Sequence, residues 1–337
     1  MILVTGGTGY IGSHTVVELL GIGEDVLIVD DFSNSSIEVL DRIEAIGGKR
    51  PAFVELDLVD KVGLEAVFQS HPNIKGVIHF AAKKAVGESV EKPLMYYRTN
   101  LVSLINLLDV MHANDVKDLV FSSSCSVYGE PVHTQVTEQT PIKVANSPYG
   151  NTKQICEEII TDTAHVTDLK AICLRYFNPT GAHDSANIGE LPIGVPSNLI
   201  PFITQTGIGL REELTVYGGD YDTIDGTCIR DYIHVVDLAQ AHLKALGHLA
   251  NNCSNGSVDI INIGTGNGST VLEVVNTFKE ISGVELNFKV GPRREGDVVA
   301  VYADATKAKE VLGWEAKLNL KDMLASAWKW EQKIRNS

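Results

Sequence analysis

Two side chains that could transfer a proton, Tyr149 and Lys153, stand four residues apart at the start of a segment with helical periodicity. Residues at this spacing share one face of a helix, so both can act on one ligand. A free phenol, with a pKa of about 10, is a poor base at neutral pH. A nearby ammonium favours the phenolate and lowers that pKa. Ser124 ends an upstream β-rich run and can bridge a substrate hydroxyl and the tyrosine.

A glycine-rich turn follows the first apolar run, with Gly6, Gly9 and Gly12 spaced three residues apart before a helical pattern. Small residues let the backbone approach a pyrophosphate, whose charge then lies at the helix N-terminus. Asp30 ends the second predicted strand, where a carboxylate binds the adenosine ribose hydroxyls and repels a 2′-phosphate. No basic residue occurs in 31–34. The pattern therefore predicts binding of NAD rather than NADP. The positive nicotinamide ring of NAD would also favour the phenolate of Tyr149.

Asp57, at the end of the third predicted strand, has two open interpretations: a partner for the adenine amino group, or a turn residue. His79, inside the fourth predicted strand, is interpreted as a buried, hydrogen-bonded histidine rather than a catalyst. Cys125 is interpreted as structural, because its neighbours do not form a thiolate-activating cluster. No metal site is predicted.

Short β-rich runs alternate with helical patterns in the first half of the chain. This order predicts βαβ units, and so a Rossmann-type doubly wound parallel sheet with helices on both faces. The runs are almost continuously apolar, as expected for strands buried on both faces. The predicted strands are 2–5, 25–30, 52–57, 76–81, 118–123 and 171–176, and the predicted helices are 11–20, 36–46, 61–70, 93–113 and 149–164.

The pattern changes after Phe177, and no regular period is visible in 178–209. We predict an NAD-binding domain over 1–177 and a smaller C-terminal α/β substrate-binding domain over 178–337, with some later segments returning to the large sheet. Its predicted strands are 214–218, 261–264 and 288–290, and its predicted helices are 235–250, 270–282 and 318–333.

Composition restricts the classes of partner. The net charge of −15, from 28 basic and 43 acidic residues, argues against a nucleic-acid partner, which needs a basic surface. A few local arginines still suffice for an anionic small substrate. No apolar run reaches the roughly 18 residues that a membrane span needs, and we expect no signal peptide and no membrane partner. The five cysteines include no CxxC pair, which favours free thiols in a reducing compartment, the cytoplasm.

Longer strings of residues carry a family resemblance over nearly the whole chain. TGGTGYIGSH at the N-terminus, SSSCSVYG and YGNTK resemble the extended short-chain dehydrogenase/reductase superfamily. KAVGES from Lys84, RYFNP from Arg175, RDYIHV from Arg230 and RREGD from Arg293 resemble, more specifically, the UDP-galactose 4-epimerase family.

This resemblance implies reversible epimerisation at carbon 4 of UDP-glucose and UDP-galactose, in galactose metabolism, through a 4-keto sugar and enzyme-bound NAD. It implies that Tyr149 removes the proton of the 4-hydroxyl with help from Ser124, while carbon 4 gives its hydride to NAD, which is regenerated in each turnover. It also implies a homodimer that pairs the helices 93–113 and 149–164 of each subunit.

The resemblance also implies roles for site residues. Arg230 and Arg294 can clamp a diphosphate bidentately, Tyr217 lies near the uracil, and Lys84 and Tyr176 lie at the nicotinamide end. The expected cofactor-binding residues are Gly6, Gly9, Tyr10, Ile11, Gly12, Asp30, Asn34, Asp57, Leu58, Phe80, Lys84, Asn100, Tyr149, Lys153 and Tyr176. The expected substrate-binding residues are Ser124, Tyr149, Asn178, Asn198, Leu199, Tyr217, Arg230, Tyr232, Arg294, Asp297 and Val301.

Val301 bears on substrate breadth. Counted from the RREGD motif, it falls where the family places a residue of the sugar pocket. Members confined to plain UDP-hexoses resemble one another in having Tyr there, whereas members that accept N-acetylated sugars have a smaller residue. We therefore predict interconversion of UDP-N-acetylglucosamine and UDP-N-acetylgalactosamine as well. A shift of one residue in this count would place Tyr302 in the pocket instead.

Three other functions compete with this interpretation. A 4,6-dehydratase needs an acid–base pair, typically Asp-Glu, beside the active-site hydroxyl residue, but Ser124 is followed by Cys125-Ser126-Val127. A non-catalytic NAD sensor predicts a degraded tyrosine–lysine pair, and the pair is intact. An NADP-linked reductase is disfavoured by Asp30.

Overall fold

The computed structural model describes residues 1–294 and 297–336. The strands of this part of the chain are β1 (Ile2–Thr5), β2 (Val26–Asp30), β3 (Ala52–Glu55), β4 (Gly76–His79), β5 (Asp118–Ser122), β6 (Gln135–Val136), β7 (Lys170–Tyr176), β8 (Asn178–Thr180), β9 (Leu214–Tyr217), β10 (Ile229–His234), β11 (Val258–Ile263), β12 (Gly268–Thr270), β13 (Phe288–Gly291) and β14 (Ala300–Ala303). The helices are α1 (Tyr10–Gly21), α2 (Glu38–Gly47), α3 (Lys61–Ser70), α4 (Val86–Glu91), α5 (Pro93–Ala113), α6 (Pro148–Val166), α7 (Leu199–Gly207), α8 (Val235–Asn252), α9 (Val271–Ser282), α10 (Thr306–Leu312) and α11 (Leu320–Arg335), with a 3-10 helix at Cys125–Tyr128.

Seven parallel strands form the large sheet, in the order β11-β7-β5-β4-β1-β2-β3. The chain runs outward from β1 through β2 and β3, then returns to β4 on the other side of β1. Ligands of such sheets bind beyond the carboxyl ends of the strands, at this reversal of strand order. The predicted Rossmann-type sheet is confirmed, and the reversal places the functional site at the ends of β1 and β4.

Helices cover both faces of the sheet, as its apolar strands predicted. Alternate residues of each strand point to opposite faces, so Val4 packs with side chains of α1 and α8, whereas its neighbour Leu3 packs with those of α3, α5 and α6. Burying one leucine or valine in this way contributes about 1.5–3 kcal/mol. The two clusters fix the carboxyl edge of the sheet as a rigid support.

The later part of the chain divides between two places. β11 joins the large sheet beside β7, and α8 packs on the α1 face of the large sheet. The remaining strands form a five-stranded sheet (β12, β10, β14 and β6, with β8 on β10) and a β9–β13 pair, packed with α7, α9 and α11. The boundary at residue 177 stays a prediction.

The segment 178–209 is more regular than its sequence indicated, because it contains β8 and α7. A strand of three residues is too short to show a period of two. The helix α7 carries Pro201 in its first turn, where proline is tolerated but weakens a sequence pattern. Among the described residues, no helix combines the length and the apolar character needed to cross a membrane.

Candidate active site

The glycine-rich turn between β1 and α1 is shaped by close backbone contacts. Gly6 has a φ of +70°, and a Cβ placed on it would lie 2.7 Å from the backbone nitrogen of Ala81. A Cβ on Gly12 would lie 2.2 Å from the carbonyl oxygen of Gly6. Gly9 is the N-cap residue of α1. Side chains at Gly6 and Gly12 are sterically excluded, so the backbone at the start of α1 stays open to a pyrophosphate, as NAD binding requires.

Asp30 lies beside this turn at the end of β2. Its carboxylate accepts hydrogen bonds from the backbone N–H groups of Thr8 (3.1 Å) and Phe32 (3.0 Å), and from the Ser35 hydroxyl (3.3 Å). These bonds hold the carboxylate where an adenosine ribose would lie. Asp57 accepts from the backbone N–H of Val59, as a turn residue does, and its adenine role stays a prediction.

The next strand ends supply further cofactor candidates. Asn100, buried on α5, accepts from the backbone N–H of Lys83 (2.8 Å) and donates to the carbonyl oxygen of Lys83 and to Thr152. These bonds fix the loop that follows β4. Lys84 projects from this loop toward Glu190, with 3.6 Å between the ammonium and the carboxylate.

Two tyrosines line the approach to the same loop. The hydroxyl of Tyr10 donates to the carbonyl oxygen of Gly181 (2.6 Å), which joins α1 to the segment after β8. The hydroxyl of Tyr176 shares a hydrogen bond of 2.6 Å with that of Ser122, at the ends of the neighbouring strands β7 and β5. Both contacts place expected cofactor residues at the carboxyl edge. The roles expected for Ile11, Asn34, Leu58 and Phe80 stay predictions.

The helix α6 positions the tyrosine–lysine pair. The Ser147 side chain caps the helix by accepting from the backbone N–H of Gly150 (3.2 Å). Tyr149 and Lys153 follow on one buried face, beneath the end of β5. The Lys153 ammonium donates to the carbonyl oxygen of Ser122 (2.6 Å) and lies 4.8 Å from the centre of the Phe121 ring. The predicted helix and the shared face are both present.

Burial dominates the ionisation of this pair. It raises the pKa of Tyr149 well above its usual value, and a hydrogen bond with Ser124 acts in the opposite direction. Burial also lowers the pKa of Lys153 to about 8. The sequence assigned the lowering of the tyrosine pKa to Lys153, whereas here the contact that opposes the rise comes from Ser124. The difference arises because the ammonium is directed to the Ser122 carbonyl.

Ser124 is held by the turn that follows β5. Its hydroxyl oxygen accepts from the backbone N–H of Ser126 (3.2 Å) and from the Ser126 hydroxyl (3.0 Å). Burial raises the pKa of the adjacent Cys125 to about 12, which favours the protonated thiol, and its structural role stays a prediction. His79 shares a hydrogen bond with the Thr5 hydroxyl (2.7 Å), and burial lowers its pKa to about 3. It is the buried neutral histidine that the sequence indicated.

Two arginines, Arg230 of β10 and Arg294, converge on one carboxylate. Asp297 accepts from Arg230 (3.3 Å) and from Arg294 (2.9 and 3.2 Å). The Arg294 guanidinium also lies 5.9 Å from the centre of the Tyr217 ring. This places the expected diphosphate and uracil residues together. Arg293 instead pairs with exposed Asp220. Glu295 and Gly296 of the RREGD motif lie outside the described residues.

Other expected substrate residues lie on β8, at the start of α7 and on β10. Asn178 on β8 donates to the carbonyl oxygen of Asp231 (2.9 Å). Asn198, at the start of α7, donates to the Glu190 carboxylate (2.7 Å). Leu199 follows it in the first turn of α7, and Tyr232 is buried on β10. Glu190, which contacts both Asn198 and Lys84, was not among the expected site residues, because nothing in its local sequence marks it.

Val301 and Tyr302 point in opposite directions from β14. Val301 pairs with Arg230 of β10 and packs in a cluster with Val127 and Phe177, against which Cys125 is packed. The Tyr302 hydroxyl lies 3.5 Å from Thr134, beside β6. Because neighbours on a strand face opposite sides, Val301 is the residue directed toward the segment that follows Ser124.

The chain is similar to known proteins over almost its full length. The family model described as GDP-mannose 4,6 dehydratase matches residues 3–327. The UDP-glucose 4-epimerase of Bacillus subtilis is 49% identical over 332 residues, which cover 98% of this chain and 96% of that protein. Two solved structures share the fold. The UDP-glucose-4-epimerase of Stenotrophomonas maltophila, with bound NAD and a formylated UDP-arabinopyranose, has a TM-score of 0.96 at 46% identity and covers 99% of this chain and 98% of its own.

The second structure is the UDP-glucose 4-epimerase of Bifidobacterium longum in complex with NAD+ and UDP. It has a TM-score of 0.94 at 46% identity, and covers 99% of both chains. Identity at this level over the whole length is far more specific than a shared Rossmann-type sheet. The chain therefore belongs to the UDP-glucose 4-epimerase family, within the wider family that the dehydratase model describes.

Proposed function

We propose that this protein interconverts UDP-glucose and UDP-galactose by epimerisation at carbon 4, with NAD as a bound cofactor, in galactose metabolism. The observation that carries the proposal is the placement of Tyr149, Lys153 and Ser124 on one buried surface beyond the carboxyl end of β5. The glycine-rich turn and Asp30 lie on the same edge of the sheet. The relatives that match the full chain carry the same activity in their names.

The proton chemistry falls to Tyr149. Its phenolic oxygen takes the proton of the sugar 4-hydroxyl as carbon 4 is oxidised to a ketone, and returns it when the other face is reduced. NAD, when bound, supplies a reversible hydride acceptor, and its positive ring favours the phenolate. Ser124 holds the reacting hydroxyl by a hydrogen bond. When NAD is bound, the Lys153 ammonium on the same buried helix face adds to the positive charge that favours the phenolate. No proton or hydride is gained or lost overall.

The arginine pair Arg230 and Arg294 holds the nucleotide. Arg230 and Arg294 bind the diphosphate as bidentate donors, and Tyr217 provides a half-exposed ring for the uracil. Asp297, which lies between the arginines, keeps both guanidinium groups aligned. The nucleotide diphosphate is then the main anchor of the substrate, so the 4-keto sugar can turn about its linkage to present its other face.

The small side chain of Val301 supports a wider substrate range. It lies on the strand face directed toward the segment after Ser124, while Tyr302 points away. Pocket walls discriminate by clashes as much as by contacts, and valine leaves room for an acetamido group on carbon 2. Interconversion of UDP-N-acetylglucosamine and UDP-N-acetylgalactosamine is therefore part of the proposal.

A homodimer in the cytoplasm is the form we propose. The helices α5 and α6 lie side by side, linked by a hydrogen bond of 2.7 Å from Asn151 to the Tyr97 hydroxyl. Leu94 and Ile105 of α5 remain exposed. A second copy of this helix pair would cover them. The free thiols of all five cysteines support a reducing compartment.

The 4,6-dehydratase reaction is the second candidate, because the matching family model is described by that activity. It lacks support at the site, since Ser124 is followed by Cys125 and Ser126 in place of an acid–base pair.

The near-ultraviolet spectrum of the purified protein tests the proposed epimerisation. Adding a UDP-sugar should convert part of the bound NAD to NADH, and reduced cofactor should not accumulate in solution. A spectrum that UDP-sugars leave unchanged would argue against it.

A further inference from the structure

Three consecutive serines follow one another at the end of β5, and two of them hold the tyrosine–lysine pair. The carbonyl oxygen of Ser122 accepts from the Lys153 ammonium (2.6 Å). Ser124 and Tyr149 are both buried, and the Ser124 hydroxyl opposes the rise that burial causes in the pKa of the Tyr149 phenol. Any displacement of this strand end would therefore change the position of both groups at once.

The middle serine points to the other side, into a buried ion pair. Ser123 donates to Glu157 Oε1 (2.5 Å), and Arg175 donates to the same carboxylate from Nε (2.9 Å) and Nη2 (2.6 Å). Ser123 is fully buried, and Glu157 and Arg175 are 4% and 1% exposed. Glu157 lies one helical turn after Lys153 on α6, so it shares the helix face of the reacting residues.

Arg175 extends the same network to the turn that follows Ser124. Its guanidinium lies 4.8 Å from the centre of the Tyr128 ring, in the 3-10 helix 125–128. The Tyr128 hydroxyl donates to Asn262 of β11 (2.6 Å). The ion pair therefore contacts both the strand end, through Ser123, and the turn, through the Tyr128 ring.

A buried ion pair is weak evidence for stability, because desolvation of two charges offsets their attraction. The contacts of the ion pair with Ser123 and Tyr128 point to a function beyond stability. We propose that Glu157 is a positioning residue for the epimerase reaction. With Arg175 it fixes, through Ser123, the strand end that presents Ser124 to Tyr149, and it supplies a buried counter-charge to the Lys153 ammonium. This inference rests on the proposed function.

Three groups oppose the lowering of the Lys153 pKa by burial, and of these only Glu157 is charged at pH 7. Burial lowers the pKa of Lys153 to about 8, and Cys156, Glu157 and Cys173 act in the opposite direction. Burial raises the pKa of both thiols, that of Cys156 to about 11, so both are neutral at pH 7. His79, which also faces the lysine from β4, is neutral because burial lowers its pKa to about 3.

Glu157→Gln tests the counter-charge, because the amide keeps an acceptor for Ser123 and Arg175 but carries no charge. We expect the pKa of Lys153 in the holoenzyme to fall by about one unit, a shift typical of a lost nearby charge. The measurement is an NMR titration of protein with 13C-labelled lysine, in which the Lys153 signal is identified by its loss in Lys153→Met. Glu310→Gln, an exposed change on α10, should leave the titration unchanged.

Ser123→Ala tests the positioning, because it removes the hydrogen bond from Ser123 to Glu157 but keeps both charges of the ion pair. We expect kcat to fall about tenfold with KM and NAD content unchanged, because Ser124 and Tyr149 lose alignment. Glu157→Asp, which keeps the charge, should retain the wild-type titration of Lys153. Wild-type kcat in Ser123→Ala, or an unshifted Lys153 in folded Glu157→Gln, would overturn the inference. If Glu157→Gln does not fold, the Ser123→Ala result decides.

The two proposals fail separately. A wild-type protein that leaves UDP-sugars unchanged would refute the proposed function, whatever the variants do. The NMR titration needs no turnover and still tests the counter-charge in that case. If the wild type is active, and Ser123→Ala keeps its kcat and Glu157→Gln keeps the pKa of Lys153, only the positioning role is refuted.

Discussion

The carboxylate of Asp30 accepts a hydrogen bond from the backbone N–H of Thr8 over 3.1 Å, which ties the end of β2 to the glycine-rich turn. The carboxylate is thus fixed where a 2′-phosphate would have to lie, and like charges repel. We predict that denatured protein releases NAD, measured by enzymatic cycling. Asp30→Ala should raise the share of NADP that binds, whereas Asp31→Ala, at an exposed neighbour, should not. Recovery of mainly NADP from the wild type would refute the assignment.

Tyr149→Phe should lower turnover by at least about 100-fold, the usual cost of losing a general base. The change removes one oxygen and little packing, so NAD should stay bound at the wild-type ratio. Steady-state kinetics and cofactor content measure the two quantities. A matched control is Tyr221→Phe, because the buried Tyr221 hydroxyl has no hydrogen-bond partner among the described residues. Turnover near the wild-type rate would remove Tyr149 from the mechanism.

Lys153→Ala should cause a similar loss and move the acid limb of the pH–rate profile to higher pH. The ammonium that stabilises the phenolate is then missing, so Tyr149 ionises less readily. In the wild type, burial lowers the pKa of Lys153 to about 8. Its charge is therefore lost as pH rises through 8, and activity should decline above that pH. A profile that the substitution leaves in place would show that Lys153 does not tune the tyrosine.

Val301→Tyr should abolish activity on the N-acetylated UDP-sugars and spare activity on UDP-glucose and UDP-galactose. The phenol ring would occupy the space beside carbon 2 that an acetamido group needs. Both substrate pairs are assayed on both proteins, with Tyr302→Phe as the control on the opposite strand face. The proposal fails if the wild type is inactive on the N-acetyl pair, or if Val301→Tyr lowers both activities equally.

Acid should destabilise the fold through three buried histidines. Burial lowers the pKa of His14 and His79 to about 3, and that of His242 to about 4. The unfolded chain binds these protons near pH 6.5, so stability falls as pH drops from there toward 4, by about 1 kcal/mol per histidine per pH unit. Urea unfolding at several pH values measures this slope. His242→Phe should reduce it, and exposed His133→Gln should not; equal slopes in all three proteins would contradict the account.

Local patterns carried most of the successful predictions. Tyr149 and Lys153 are four residues apart, and Asp30 ends an apolar strand, so local sequence placed all three on the elements where the structure has them, while their roles stay predictions. The alternation of strands and helices likewise predicted the large sheet. The return of β11 to that sheet was anticipated only in general terms, because nothing in 258–263 specifies β7 as its partner.

Contacts between distant residues could not be predicted in this way. Glu157 and Arg175 each read as ordinary charges in a helix and a strand, and only the fold brings them together. The same holds for Asp297 between two arginines. β6 and β8 have two and three residues, and their pairing energy comes from neighbours rather than from their own pattern.

Proton NMR of the product formed from UDP-galactose, with no cofactor added, shows whether the protein is a carbon-4 epimerase. We expect signals of UDP-glucose to appear until an equilibrium mixture is reached, with the 6-hydroxyl retained and no free keto sugar released. Tyr149→Phe should leave UDP-galactose unchanged over the same period. A product that lacks the 6-hydroxyl, or UDP-galactose that stays unchanged with the wild-type protein, would contradict the account.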